Sequence, residues 1–169
     1  MLRTFFWAEV SCAIVAALKA AKGALNCMFT PEYIVGLADG EGSFTVYIRN
    51  PYEEKKLKRR VQAEPKFYIK LIEKDKEILY KLKEFFGCGQ VYFQRDARKN
   101  HQQCYRFEVS NRNDLERVII PFFKCNPLQF PSKQKDFKIF CELFERIRMG
   151  EHLEKNGLIR LFQMKQTMH

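Results

Sequence analysis

Long apolar runs are what the start of this chain lacks. Within the first thirty residues the longest uncharged stretch runs from Val10 to Leu18, well short of the ~20 apolar residues that a membrane-crossing helix needs. No membrane partner is therefore expected. Metal-binding spacings are missing too. The six cysteines (Cys12, Cys27, Cys88, Cys104, Cys125, Cys141) form no CxxC pair, and His101, His152 and His169 fall at no zinc-finger spacing, which argues against structural zinc. With no secretory signal and with Cys141 on an apolar helix face, reduced thiols and an intracellular setting are expected, either a bacterial cytoplasm or an organelle. Acids are scarce relative to bases, 20 against 30, for a net charge of +10. That imbalance favours a polyanionic partner, nucleic acid first.

What is present is a core. Of the 169 residues 46% are hydrophobic and 16 are Phe, enough for one packed domain. Residues 1–29 read differently, Ala-rich with Arg3, Lys19, Lys22 and the single acid Glu9. They are expected to form an extension outside the fold, the alternative being a transit peptide, for which they are poor in Arg and Ser. Residues 30–169 form the domain.

The domain opens with a short helix, N-capped by Thr30 with Pro31 at its first position and ended by Gly40 and Gly42. Alternation in FTVYIR puts Phe44, Val46 and Ile48 inward and Thr45, Tyr47 and Arg49 outward. After a basic loop at residues 55–60, a second strand turns Phe67, Ile69 and Leu71 inward and Lys66, Tyr68 and Lys70 outward. Asp75 is positioned to cap a second helix with an Ile78, Leu79, Leu82, Phe86 stripe, stopped by Gly87. Two further strands fit residues 90–95 and 104–110, separated by a polar loop. A helix follows from about Asn113 towards Phe123. After Pro127 and Pro131 a long helix, capped by Ser132, carries Phe137, Phe140, Cys141, Phe144 and Ile147 inward to Gly150. The order α-β-β-α-β-β-α describes an α+β fold with an antiparallel sheet. The most distinctive segment does not recur.

That segment, IVGLADGEG at residues 34–42 followed by Ser43 and Phe44, resembles the motif of the LAGLIDADG homing endonucleases. The resemblance extends over FYIKLIEKD (67–75), FFGCGQVY (85–92), NRNDLERVIIPFF (111–123), SKQKDFKIF (132–140) and GEHLEKNGL (150–158). Glu41 stands where the family's last motif acid is often Asp. The resemblance implies a saddle-shaped sheet lying in the DNA major groove and, since the motif occurs once, a homodimer joined through the motif helices at Ile34, Gly36 and Leu37. Gly36, without a Cβ, would let two helices approach closely, and Gly40 and Gly42 would permit the turn that delivers Glu41.

The implied function is that of an intron-encoded endonuclease hydrolysing both strands of duplex DNA with Mg²⁺. Glu41, with the Gly40 carbonyl, would be the metal ligand. Lys133 would take the place of the family's active-site lysine, and Glu73 that of a polar residue positioning water. Asp39 is expected to serve packing rather than metal. Arg49, Tyr47, Lys66, Tyr68, Lys70, Gln94 and Arg106 form the expected DNA face, while residues 55–60, Arg98 and Lys99 would contact phosphates. Two alternatives are an RNA-binding intron maturase, with intron RNA as partner, and a non-catalytic DNA-binding protein of the same fold.

Overall fold

The computed structural model describes residues 29–52, 62–95 and 102–168. Residues 1–28 of the expected extension, the basic loop at residues 55–60, and Arg98 and Lys99 of the polar loop lie outside the described residues, whereas Phe29, placed in the extension, is buried in the core against Tyr33. Helix α1 (Pro31–Glu41) starts as expected, with the Thr30 hydroxyl accepting from the Tyr33 amide at 3.2 Å. It leads directly into β1 (Gly42–Ile48), which pairs antiparallel with β2 (Ala63–Ile72). A 3₁₀ turn, Glu73–Asp75, precedes α2 (Lys76–Phe86). Asp75 therefore makes no side-chain cap, because the turn already satisfies the helix start. Gly87, at φ 66°, ends α2 in the left-handed conformation that glycine adopts freely.

Strands β3 (Gln90–Gln94) and β4 (Cys104–Val109) form a second hairpin, and the sheet order is β1-β2-β4-β3. Burial alternates along β1 and β2 in step with the side chains. The inner face is roofed by helices through a cluster of rings. Phe44 touches Phe67, Phe123, Phe137 and Phe140 at centroid distances of 4.8 to 5.5 Å. The other face carries the half-buried outward side chains and faces solvent.

The third helical region begins one residue earlier than expected, capped by Asn111, whose side chain accepts from the amides of Asn113 and Asp114. It is not uniform. A short α3 (Arg112–Asp114) widens into a π-helical segment, Leu115–Ile119, before α4 (Ile120–Cys125). Pro121 accounts for the widening, since it brings no amide and its ring crowds the preceding turn. The long α5 (Pro131–Arg148) follows, then a 3₁₀ turn, Glu151–Leu153, and α6 (Lys155–Lys165), a helix absent from the sequence-based order.

Candidate active site and nucleic-acid interface

The site is built at the C-terminal end of α1. Gly42 has ordinary extended backbone, but a Cβ there would stand 2.6 Å from the Ala38 carbonyl oxygen and 2.8 Å from its Cα. Space, not backbone conformation, requires glycine. Gly40 differs from the expectation, because it lies inside the helix and a Cβ would meet nothing within 4 Å. The tight passage from helix to strand therefore depends on Gly42 alone. It leaves Glu41 exposed as the last helical residue, in a last turn that holds no basic side chain. An exposed carboxylate beside the negative pole of a helix is a favourable place for a cation.

Two contacts tie this end to the start of α5. Asp39 is 4% exposed, and its carboxylate accepts from the amides of Gln129, at 2.9 Å, and Phe130, at 3.3 Å. Asp39 thus holds the backbone just ahead of α5, while Ser132, the expected cap, lies inside the helix, whose N-cap position is Phe130 with no side-chain cap. In the opposite direction, half-buried Lys133 donates from Nζ to the Gly42 carbonyl. The structure so brings the expected lysine to the residue next to Glu41.

Glu73 is not brought there. Gly42 pairs with Ile69, four residues before Glu73, which sets Glu73 about 13 Å further along the strand direction at ~3.3 Å per residue. It is exposed and pairs with Lys76 at 3.9 Å. Among the described residues no three His, Cys, Asp or Glu side chains gather into a metal-binding group. The chain therefore offers the exposed Glu41 carboxylate at a helix end, a hard donor of the kind a divalent cation takes.

The outer stripe of α1 is Tyr33, Gly36, Leu37 and Gly40, spaced as one helix face. Tyr33 is 43% exposed, and a Cβ on Gly36 would meet nothing within 4 Å. Ile34 is not part of it. At 0% exposure it is locked into the chain's own core, on another side of the helix, and the exposed aromatic on the outer stripe is Tyr33.

On the open face of the sheet, strand register assembles the expected residues. Tyr68 lies opposite Ser43 and Glu108, Lys70 opposite Arg106, and Arg106 opposite Tyr92, with Gln94 one row further. Tyr47 is opposite Glu64, and Arg49 just beyond β1 donates its amide to the Gln62 carbonyl. The cations are not all free. Lys66 is bound by Glu108 at 3.0 Å and Glu64 at 3.3 Å, while Arg106 lies over the Tyr68 ring at 4.2 Å and reaches Glu108 at 3.5 Å. Burial disfavours the charge on Lys66, yet Glu108 and Glu64 outweigh it and hold its pKa above the ordinary lysine value. Sequence reasoning missed Glu64 and Glu108, although the alternation that points Lys66 and Arg106 outward points them outward too.

Comparison with known proteins agrees with this architecture. Residues 34–144 match the family model described as LAGLIDADG endonuclease. A probable intron-encoded endonuclease 2 of Neurospora crassa is 30% identical over 141 residues, 82% of this chain and 29% of that protein. The chain thus spans about three tenths of that relative's length. Among solved structures, the homing endonuclease I-TnaI has a TM-score of 0.67 and 35% identity, covering 83% of this chain and 88% of the other. I-SmaMI, bound to an uncleaved DNA target in the presence of calcium ions, has a TM-score of 0.68 and 27% identity over 83% of this chain and 45% of that one. Motif helix, sheet order and sequence converge, and the chain belongs to the LAGLIDADG endonuclease family.

Proposed function

We propose that the protein is an intron-encoded, site-specific homing endonuclease that hydrolyses both strands of duplex DNA as a homodimer. The observation that carries this reading is the junction of Glu41 and Lys133. An exposed acid at a helix C-terminus and an ammonium held on the next carbonyl stand beside a sheet face of cations, amides and aromatics. Glu41, with the Gly40 carbonyl, would hold Mg²⁺, which when bound neutralises phosphate charge and acidifies a water. Lys133, one of whose protons is fixed on the Gly42 carbonyl, directs its remaining donors towards the charge that develops on the phosphate. The outward residues of β1 to β4 read base edges and fix the register of the duplex.

A second copy completes the site. The bare Gly36 surface supports close approach of two α1 helices, which would bring one Glu41 to each strand. No helix among the described residues is long and apolar enough to cross a membrane. The test is incubation of the purified protein with duplex spanning the uninterrupted intron insertion site, in Mg²⁺ and then with EDTA. Cutting of both strands that EDTA stops is expected. Intact duplex in Mg²⁺, with tighter binding to intron RNA than to DNA, would replace this reading with the maturase.

A further inference from the structure

The middle of the sheet face is not a plain basic surface. Lys66 and Arg106 face Glu64 and Glu108, so this group of four is charge-balanced, with Lys70 beside it, in a chain of net charge +10. A face used only to hold phosphates gains nothing from carboxylates, which repel them. Glu108 spends both oxygens on different cations, Oε1 on Lys66 and Oε2 on Arg106. Arg106 is held a second time by stacking over Tyr68, and its buried Nε has no partner among the described residues; nor has the buried Oε1 of Gln94, one row away.

We infer that Glu108 is a specificity-determining positioning residue, holding Lys66 and Arg106 as a fixed pair of donors for the acceptor edge of guanine in the major groove. The inference rests on the DNA-cutting reading above. Lysine and arginine left to themselves follow the nearest phosphate and bind all sequences alike, whereas donors fixed in direction distinguish the O6 and N7 acceptors of guanine from the edges of other bases. Glu108 touches no base in this scheme and acts through its two partners.

The experiment selects a target from a randomised duplex library with the wild-type protein, then measures binding to every single substitution of it at several salt concentrations, with EDTA present to prevent cutting. Glu108→Gln keeps size and removes charge. It is expected to lose about tenfold discrimination at positions where the wild type prefers guanine. Its salt dependence should steepen by about one to two phosphate contacts as the released cations turn to the backbone. Adding Glu108→Gln to the Lys66→Gln, Arg106→Gln pair should change the mismatch profile no further. A folded Glu108→Gln protein with the wild-type profile and salt slope would overturn the inference, as would a uniform loss of affinity at every position. Should Glu108→Gln lower the melting temperature, the Lys66→Gln, Arg106→Gln pair decides instead, and an undiminished guanine preference in it also overturns the inference. A wild type that selects no target at all removes the DNA-cutting reading itself, which sets that failure apart from the others.

Discussion

At the scale of single residues, the site separates groups expected to act from groups that hold. Glu41 is exposed and has no hydrogen bond or ion pair among the described residues, so Glu41→Gln should abolish cleavage, by ~10²-fold or more, with duplex binding and melting temperature retained. Strand cutting at the wild-type rate would remove it from the chemistry. Lys133→Met should lower the single-turnover rate by ~10² to 10³. Asp39 is the contrast. Its carboxylate satisfies two amides ahead of α5, so Asp39→Ala should cost ~1 to 3 kcal/mol in denaturant unfolding, and should slow cleavage as well because the start of α5 carries Lys133. A variant with wild-type stability would show that these two amides are satisfied without it.

At the scale of elements, two glycines of α1 should behave in opposite ways. Gly42→Ala places a methyl against the Ala38 backbone and should destabilise the fold by ~1 to 3 kcal/mol. Gly36→Leu meets open space within the chain and improves helix propensity by ~0.5 to 1 kcal/mol. It should leave the melting curve of the subunit intact while abolishing the dimer in light scattering. A Gly36→Leu protein that stays dimeric would move the interface elsewhere. What was legible in the sequence follows the same division between local and distant causes. The Thr30 cap, the strand alternation and the stop at Gly87 are written in neighbouring residues, and the motif acid lies where its segment puts it. Asp39 holding two amides ninety residues away, Ile34 turned inward, and Lys66 claimed by Glu108 depend on which elements meet. Periodicity states which face a residue occupies but not what stands opposite.

At the scale of the whole molecule, stability should respond to acid through His152. Its ring, in the 3₁₀ turn Glu151–Leu153, is buried, and burial, with the Arg112 guanidinium nearby, lowers its pKa below the usual 6.5. The unfolded chain binds the proton more readily than the folded one, so this contribution is complete above pH ~6.5 and falls away as the pH drops below it. Melting measured from pH 7 to 5 should therefore decline less steeply in His152→Gln than in the wild type, and equal slopes would clear His152 of that role. The sheet order has a consequence of another kind. Each hairpin, β1 with β2 and β3 with β4, closes over a short stretch of sequence, but β2 and β4 meet across some forty residues. Lys66 with Glu108 and Tyr68 with Arg106 are cross-strand partners at that one seam. On the proposed reading of DNA, recognition would be absent from either hairpin alone and completed only when the two dock, the step that closes the longer loop. Amide exchange along the seam should then report how long the protein remains able to read, since a brief parting there would erase its preference for a sequence while both hairpins stayed folded.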